Sequence, residues 1–216
     1  MSDLLRDPHG KQPVHQQGSN LEDAAIAVIL LHGRGSDAAD ILSLNHYLDQ
    51  DTTCYLAPDA YGHQWYPQRF TVPVAHNEPF LSSALTLVDT IVTKVLADGM
   101  PAERLVIGGF SQGACLALEY AARHPRAYGA VVALSGGLIG ETLDVSRYGT
   151  DMAGMTVFLG CSDVDPHIPV TRVHDSSRIF EQAGAHVVER IYPGMPHTVN
   201  EDEMHWLQQH LKDMHW

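Results

Sequence analysis

The stretch that most constrains how this chain can fold is the pentapeptide Gly109-Phe110-Ser111-Gln112-Gly113. Residues 104–108 (RLVIG), just before it, are largely apolar and form a run short enough to be a buried strand. Residues 114–122 (ACLALEYAA), just after it, are rich in good helix formers. Glycine at both ends of the pentapeptide lets a strand and a helix approach each other closely. The sequence therefore predicts a strand, a tight turn and a helix, with Ser111 in the turn.

This local arrangement gives Ser111 a chemical interpretation. When a G-x-S-x-G turn joins a strand to a helix, the serine hydroxyl projects above the edge of the sheet, where it can act as a nucleophile. The simpler interpretation is a glycine-rich turn that carries a surface serine. The flanking segments favour the nucleophile, whereas the pentapeptide alone does not decide between the two.

Strand-like and helix-like segments alternate about six times along the chain. This alternation predicts an α/β fold with a mainly parallel sheet and helices on both faces. The intervals between strands are too short for a cap domain. Residues 1–20 are polar and predict an N-terminal arm or irregular edge segment, followed by a single domain over residues 21–216. The expected strands are 24–31, 52–57, 104–108, 129–134, 155–160 and 186–192, and the expected helices are about 36–47, 81–97, 114–122, 170–183 and 200–211.

Three candidate catalytic side chains follow different predicted strands. Ser111 follows the third strand, Asp165 the fifth and His197 the sixth. The carboxyl ends of parallel strands meet at one edge of a sheet, which is where ligands bind. A serine needs a neighbouring base to become a nucleophile, and the base needs an acid that fixes its tautomer. The order Ser, Asp, His along the chain is that of α/β-hydrolases, so we predict these residues to be a catalytic triad.

Other acids and histidines compete for these roles. Asp163 follows the same strand as Asp165 and is the alternative acid. His205, His210 and His215 lie on or after a polar terminal helix, and their five-residue spacing does not align them on one helix face. A zinc site there is therefore disfavoured, and we expect neither a metal nor a cofactor.

Two further residues near the predicted site have structural interpretations. His32 lies in the loop after the first strand, and we expect it to be a hydrogen-bonding structural residue rather than a base. Cys115 is four residues beyond Ser111 on the predicted helix, and we expect it to be a small core residue.

Four motifs together resemble the phospholipase/carboxylesterase family of α/β-hydrolases. The resemblance covers the chain from about Ala24 to its end and implies a capless serine hydrolase that acts on esters or thioesters. That family includes small bacterial carboxylesterases and acyl-protein thioesterases. The segments 65–67 (WYP) and 77–79 (NEP) look more like the carboxylesterases. The four motifs are His32-Gly33-x-Gly35, Gly109-Phe110-Ser111-Gln112-Gly113-Ala114, Asp165-Pro166-x-x-Pro169 and Gly194-Met195-x-His197.

The resemblance also implies an oxyanion hole. Its expected donors are the backbone N–H groups of Arg34 and Gln112, so no particular side chain is expected to be needed at position 34. The match to the Asp-Pro-x-x-Pro motif favours Asp165 over Asp163 as the acid.

A long irregular segment, residues 58–79, is expected to help form the substrate pocket. It contains four prolines and is too aromatic to be disordered. Without a cap domain, apolar material is needed to exclude water and to bind the acyl or alcohol group. Ordinary core packing is the alternative for every predicted pocket residue. These residues are Trp65, Tyr66, Phe70, Leu138, Ile168 and Met195.

The bulk properties exclude some partners. A net charge of −13 argues against nucleic acid as a partner, because phosphate binding depends on clusters of Lys and Arg. The same charge argues weakly against docking on anionic membranes. We expect no signal peptide, no apolar run of about 18 residues and no stable membrane anchoring. Three cysteines at unrelated spacings favour a reducing, cytoplasmic setting.

The preferred function is a serine carboxylesterase that hydrolyses small to medium acyl esters through an acyl-enzyme. The first alternative is an acyl-protein thioesterase or lysophospholipase that acts on long acyl chains. A non-catalytic binding protein on the same scaffold, a peptidase and a dienelactone-type hydrolase are weaker alternatives. The expected partner is a small ester substrate. The sequence does not decide between a monomer and the homodimer that small members of this family often form.

Overall fold

The structure is a computed structural model, and it describes residues 6–48 and 51–214. One seven-stranded sheet forms its centre. Short 3₁₀ helices lie at Ser43–Tyr47, Tyr61–His63, Val74–Asn77, Ala102–Arg104 and Val145–Arg147. The strands are β1 (Val14–Gly18), β2 (Ile26–Leu31), β3 (Thr53–Pro58), β4 (Leu105–Phe110), β5 (Ala130–Leu134), β6 (Thr156–Ser162) and β7 (His186–Tyr192). The α-helices are α1 (Ala38–Leu42), α2 (Phe80–Ala97), α3 (Gln112–Arg123), α4 (Val170–Gln182) and α5 (Glu201–Asp213).

The strands lie in the order β1-β3-β2-β4-β5-β6-β7. All neighbouring pairs are parallel except β1 with β3, which is antiparallel. The predicted α/β-hydrolase architecture, with a mainly parallel sheet, is therefore confirmed, and no segment of the described residues forms a cap domain. Parallel pairing from β3 to β7 brings the carboxyl ends of these strands to one edge of the sheet.

Helices cover both faces of the sheet and create two layers of core. Every residue of β2 is buried, and its side chains alternate between the layers. Ala27, Ile29 and Leu31 pack with α2, α3 and α4, whereas their neighbours pack with α1 and α5. This two-sided burial explains why the central strands read as continuous apolar runs in the sequence.

The N-terminal segment differs from the prediction. Residues 14–18 form the regular edge strand β1, paired along β3 from Val14 opposite Pro58 to Gly18 opposite Cys54. His9, further upstream, is fully buried, and its ring accepts the backbone N–H of Tyr61 at Nδ1. The expected N-terminal arm or irregular edge segment is therefore wrong for residues 14–18, which form a regular strand at the edge of the sheet, whereas residues 6–13 contain no helix or strand. All five residues of β1 are exposed, so the strand has no apolar alternation that could reveal it.

Helix α2 bears on the expectation that the chain has no apolar run of about 18 residues. By length and hydropathy it is the one helix among the described residues that would be long and apolar enough to cross a membrane. The expectation that no segment reaches this threshold is therefore wrong. Half of the 18-residue stretch is nevertheless buried in the protein, in the core layer that also contains α3, as in the core helix of a globular fold.

Candidate active site

Ser111 lies in a strained turn between β4 and α3. Its backbone has φ 55° and ψ −115°, which places a non-glycine residue in the left-handed half of φ space. A Cβ at Gly109 would fall 2.5 Å from the carbonyl oxygen of Leu31, and one at Gly113 would fall closer still to the same atom. Both glycines are therefore required by the close approach of β2, β4 and α3. The predicted strand, tight turn and helix are all present.

The hydroxyl of Ser111 is available for chemistry. Ser111 is the N-cap residue of α3, a position where a serine side chain commonly accepts a backbone N–H of the first turn. It makes no such capping bond here. Its Oγ lies 2.8 Å from Nε2 of His197 instead. The turn thus directs the hydroxyl to a base rather than to its own helix.

His197 connects Ser111 to Asp165. Its Nδ1 lies 2.6 Å from Oδ2 of Asp165. A carboxylate at that distance fixes the tautomer with the proton on Nδ1, so Nε2 is free to accept the proton of Ser111. The Asp165 side chain is fully buried and the His197 side chain is 17% exposed. The structure therefore brings together the three residues that the sequence singled out.

The backbone of the following loop holds the Asp165 carboxylate. Its Oδ1 accepts the N–H groups of His167 at 2.8 Å and Ile168 at 3.0 Å. Burial alone would raise the pKa of Asp165, but the hydrogen bond from His197 and those two N–H groups outweigh burial, so the pKa lies below its ordinary value. The carboxylate is consequently ionised where it faces His197.

Asp163 has a different role. It is exposed, and its Oδ1 accepts the backbone N–H of Gly194 at 2.8 Å. This bond fastens the loop that carries His197 to the loop that carries Asp165. Asp163 is therefore a loop-tethering residue in this geometry, and Asp165 is the residue that contacts His197.

Two residues that the sequence interpretation did not single out pack against His197. The ring of Phe110 lies 4.9 Å from the His197 ring, and the ring of His167 lies 4.8 Å from it on an edge-to-face contact. Phe110 is the variable residue before the serine of the pentapeptide, and His167 lies two residues after Asp165. The only sequence signal for their packing against His197 was that each lies next to or near a predicted catalytic residue.

The predicted oxyanion donors border the same cavity as Ser111. Gln112 is the first residue of α3, so its N–H has no partner within the helix. The N–H of Arg34 donates to no acceptor among the described residues. Among the described residues, the cavity beside Ser111 is thus bordered by two residues whose backbone N–H groups have no hydrogen-bond partner.

Comparison with known proteins identifies the family of this chain. A family model described as Phospholipase/Carboxylesterase matches residues 17–215. The chain belongs to the phospholipase/carboxylesterase family. This membership places it among the serine hydrolases.

The chain is similar to acyl-protein thioesterase 1 of Kluyveromyces lactis, with 28% identity over 89% of this chain and 93% of that protein. It is similar to the Saccharomyces cerevisiae protein of the same name at 27% identity, over 90% and 95% of the two chains. A solved phospholipase/carboxylesterase from Dyadobacter fermentans superposes with a TM-score of 0.90 at 42% identity, covering 94% of this chain and 97% of that one.

The side chains of Arg34 and Gln112, the two predicted oxyanion donors, anchor the loop of residues 64–68. Gln112 accepts the N–H of Trp65 at 2.9 Å and donates to the carbonyl of Tyr66 at 2.8 Å. The guanidinium of Arg34 makes four hydrogen bonds to the same loop, with Gln64 Oε1 and the carbonyl groups of residues 66–68. The expectation that the side chain at position 34 is immaterial takes no account of these contacts.

His32, within the family's oxyanion motif, has a structural role. Its Nδ1 lies 2.7 Å from the carbonyl oxygen of Gly33, so that nitrogen carries the proton. Its Nε2 accepts the N–H of Ala60 at 3.1 Å. Burial lowers the pKa of this fully buried ring, which favours the neutral form. The expected structural interpretation of His32 agrees with these bonds.

A cavity of about 470 Å³ opens beside Ser111. Of the six predicted pocket residues, Tyr66, Phe70 and Ile168 line it. Cys115 lines it as well, so the expectation that Cys115 is only a core residue was incomplete. Burial raises the pKa of this thiol to about 12, so it is protonated and unsuited to act as a nucleophile. The remaining lining residues are Gly33, Arg34, Pro67, Gln68, Arg69, Phe110, Ser111, Gln112, His167 and His197.

The other three predicted pocket residues do not line this cavity. Trp65 is fully buried beneath the loop, where its Nε1 donates to the carbonyl of His32 at 2.8 Å. Leu138 is fully buried in the core between the sheet and its helices. Met195 turns toward the start of α5, where its sulfur accepts a hydrogen bond from Asn200. For Trp65 and Leu138 the packing alternative applies.

A second groove, of about 650 Å³, lies on the other side of His197. His197 and Phe110 border both spaces, so together they form the partition between them. Residues of α1, α5 and the segment between β7 and α5 complete the groove. Among its lining residues are Ile41, Leu44, Tyr47, Val199 and Met204.

The candidate zinc ligands show ordinary contacts. Nε2 of His210 lies 2.9 Å from the carbonyl of Gly129, and the His210 ring stacks on Trp206. His215 lies outside the described residues. Within the described part of the chain, no group of three or more His, Cys, Asp and Glu side chains is arranged to hold a metal ion.

Proposed function

We propose that this family member is a serine carboxylesterase that hydrolyses esters of small to medium acyl groups through an acyl-enzyme. One observation carries the proposal: Ser111, His197 and Asp165 form a continuous chain of contacts at 2.8 Å and 2.6 Å. These residue types in this order perform nucleophilic acyl transfer in α/β-hydrolases.

The acylation step follows from the geometry. His197 takes the proton of Ser111 at Nε2 while Oγ attacks the ester carbonyl carbon. The carbonyl oxygen becomes an oxyanion, which the N–H groups of Arg34 and Gln112 stabilise. Asp165 stabilises the imidazolium that forms. When the tetrahedral intermediate collapses, the bond to the alkoxy oxygen breaks, and His197 gives its proton to the departing alcohol.

Deacylation repeats these steps with water. His197 takes a proton from a water molecule that attacks the acyl carbon, and the second tetrahedral intermediate expels Ser111 Oγ. His197 then returns the proton to Ser111, and the carboxylic acid leaves. Every proton in both half-reactions passes through His197, which is restored to its starting state at the end of the cycle.

The two spaces beside His197 bind different parts of the substrate. The acyl group fits the cavity of about 470 Å³, because the oxyanion donors and Ser111 border that space. The leaving group fits the groove behind Phe110, because its oxygen must lie near the nitrogen of His197 that protonates it. The volume of the acyl cavity is in the lower half of the range for small-molecule sites, which favours small to medium acyl groups.

The decisive experiment combines turnover with labelling. Purified protein should hydrolyse p-nitrophenyl acetate and butyrate and should react with a fluorophosphonate at Ser111. A Ser111→Ala variant that remains folded by circular dichroism should do neither. Absence of turnover, burst and labelling in the wild-type protein would contradict the proposal.

A thioesterase is the second candidate, since the two yeast relatives named above are acyl-protein thioesterases and align over about nine-tenths of this chain. The same triad would expel a thiol instead of an alcohol. The two functions differ in acyl length and leaving atom. Higher kcat/KM on palmitoyl thioesters than on matched butyrate oxygen esters would favour the thioesterase.

A further inference from the structure

We propose that the side chain of Arg34 is a positioning and specificity-determining residue. It holds the wall of the acyl cavity against the loop that supplies the oxyanion N–H, and so limits the length of the acyl group. The inference rests on the proposed esterase function and extends it to a side chain for which the chemistry itself has no need.

The contacts of Arg34 are unusual for an exposed arginine. Its guanidinium has no carboxylate partner among the described residues. It binds four neutral oxygens on one stretch of chain instead. Nη1 donates to Gln64 Oε1 at 2.7 Å and to the Pro67 carbonyl at 3.0 Å. Nη2 donates to the Tyr66 carbonyl at 2.9 Å and to the Gln68 carbonyl at 2.8 Å.

The stretch that Arg34 holds has little structure of its own. Residues 64–73 lie between two 3₁₀ helices and contain no helix or strand. Their carbonyl groups therefore lack the partners that a sheet or helix would supply. A planar guanidinium with five donors can satisfy several such carbonyls at once, whereas a lysine ammonium cannot match this fork.

The held stretch is also the wall of the cavity. Tyr66, Pro67 and Gln68 all line it, and the wall continues to Phe70. In the described part of the chain, Arg34 makes every hydrogen bond between loop 33–36 and residues 66–68. The same residue offers its backbone N–H to the reacting carbonyl. The side chain of Arg34 thus holds the cavity wall while its backbone supplies the oxyanion N–H. A single residue therefore sets the distance between the wall and the oxyanion hole.

Loss of this side chain should therefore change two properties together. The wall then keeps its bonds to Gln112 and Asn77 but loses those to loop 33–36, so it can move outward more easily and admit longer acyl groups. The N–H of residue 34 loses its support and stabilises the oxyanion less well, and misplacement by about 1 Å can cost on the order of 10²-fold in rate. A merely structural role would lower thermal stability without altering the ratio between short and long substrates.

The test uses Arg34→Met and Arg34→Lys with p-nitrophenyl butyrate and decanoate. Both variants should lose kcat on butyrate by about tenfold or more, and the butyrate-to-decanoate ratio of kcat/KM should fall by about fivefold. Lysine should resemble methionine, because the fork and not the charge is required. Arg178→Met is the matched control, since Arg178 is exposed and its ion pair among the described residues is with Asp175 on its own helix.

Chemical rescue adds a second readout. Methylguanidinium should restore part of the butyrate kcat of Arg34→Ala, whereas methylammonium at the same concentration should not. Absence of rescue would count against the guanidinium as the positioning group. An unchanged substrate ratio and kcat in the Arg34 variants would overturn the inference while leaving the esterase proposal intact. Failure of the wild-type protein to hydrolyse either ester would instead refute the proposed function.

Discussion

Gln112 accepts the backbone N–H of Trp65 through its side chain at 2.9 Å, across 47 positions of sequence. The same glutamine lines the cavity beside Ser111, and its backbone N–H, at the first position of α3, has no partner within the helix. In the proposed mechanism, Gln112 would therefore serve the reaction with its main chain, while its side chain holds the pocket wall. Few other side chains could replace it, because Trp65 offers a donor and Tyr66 an acceptor to one amide.

Replacing Gln112 with leucine should damage both stability and activity. Leucine has a similar volume but leaves the N–H of Trp65 without a partner, at a cost of about 1–3 kcal/mol in the free energy of unfolding. We also expect kcat on butyrate esters to fall by about tenfold as the loop loosens. Urea unfolding and steady-state kinetics check both effects. Gln182→Leu, at an exposed helix end, is the matched control and should change neither.

The two aspartates after β6 give a sharper pair of variants. Asp165→Asn should lower kcat by about 10⁴-fold, because an amide no longer fixes the productive tautomer of His197. Asp163→Asn keeps an oxygen that can accept the N–H of Gly194, so its kcat should remain within about twofold of the wild-type value. Stopped-flow measurement of p-nitrophenolate release compares them. Equal losses in both variants would contradict the assignment of Asp165.

The positions of the triad could be predicted from the sequence because each member follows a strand that is itself evident. Buried parallel strands are continuous apolar runs, and their carboxyl ends necessarily share one edge of the sheet. Strand β1 could not be predicted in this way, since its exposed residues have no apolar periodicity and its pairing depends on β3.

The pocket was harder to predict than the triad for a physical reason. Trp65 and Tyr66 are adjacent aromatics in an irregular segment, so no periodicity tells which of them faces the cavity. Their orientation is set by hydrogen bonds from Arg34 and Gln112, which lie more than 30 positions away in sequence. Side-chain donors at such separations leave no local signal, and only the folded chain shows which aromatic is buried.

The groove behind Phe110 predicts selectivity for the leaving group. Tyr47 is 63% exposed and lines that groove, so it can contact a bulky alcohol without contacting the acyl group. Tyr47→Ala should lower kcat/KM for 2-naphthyl butyrate by about threefold to tenfold and should leave ethyl butyrate unchanged. Tyr61→Ala, an exposed tyrosine outside both spaces, is the control. A parallel loss on both esters would contradict this role for the groove.

The segment that follows His197 predicts a dependence of stability on pH. Asn200 and Glu203 exchange hydrogen bonds at the start of α5, at 2.9 Å and 3.0 Å, and the Glu203 carboxyl is fully buried against Gly160 of β6. Burial raises the pKa of Glu203 from 4.5 to about 7, and its Oε1 has no hydrogen-bond partner among the residues that the structure describes. The folded state thus holds a proton that the unfolded chain releases between these two values.

The higher pKa of Glu203 in the folded state means that its contribution to stability decreases as pH rises. The contribution of Glu203 is fully favourable below pH 4.5 and declines as pH rises toward 7, by about 3 kcal/mol in total. Glu203→Gln cannot ionise, so the free energy of unfolding of this variant relative to the wild-type protein should rise by about 1–3 kcal/mol between about pH 5 and about pH 8. Urea unfolding at both pH values measures this change. Glu201→Gln, exposed on the same helical turn, should show no such rise, and an equal rise in both variants would assign the effect to net charge instead.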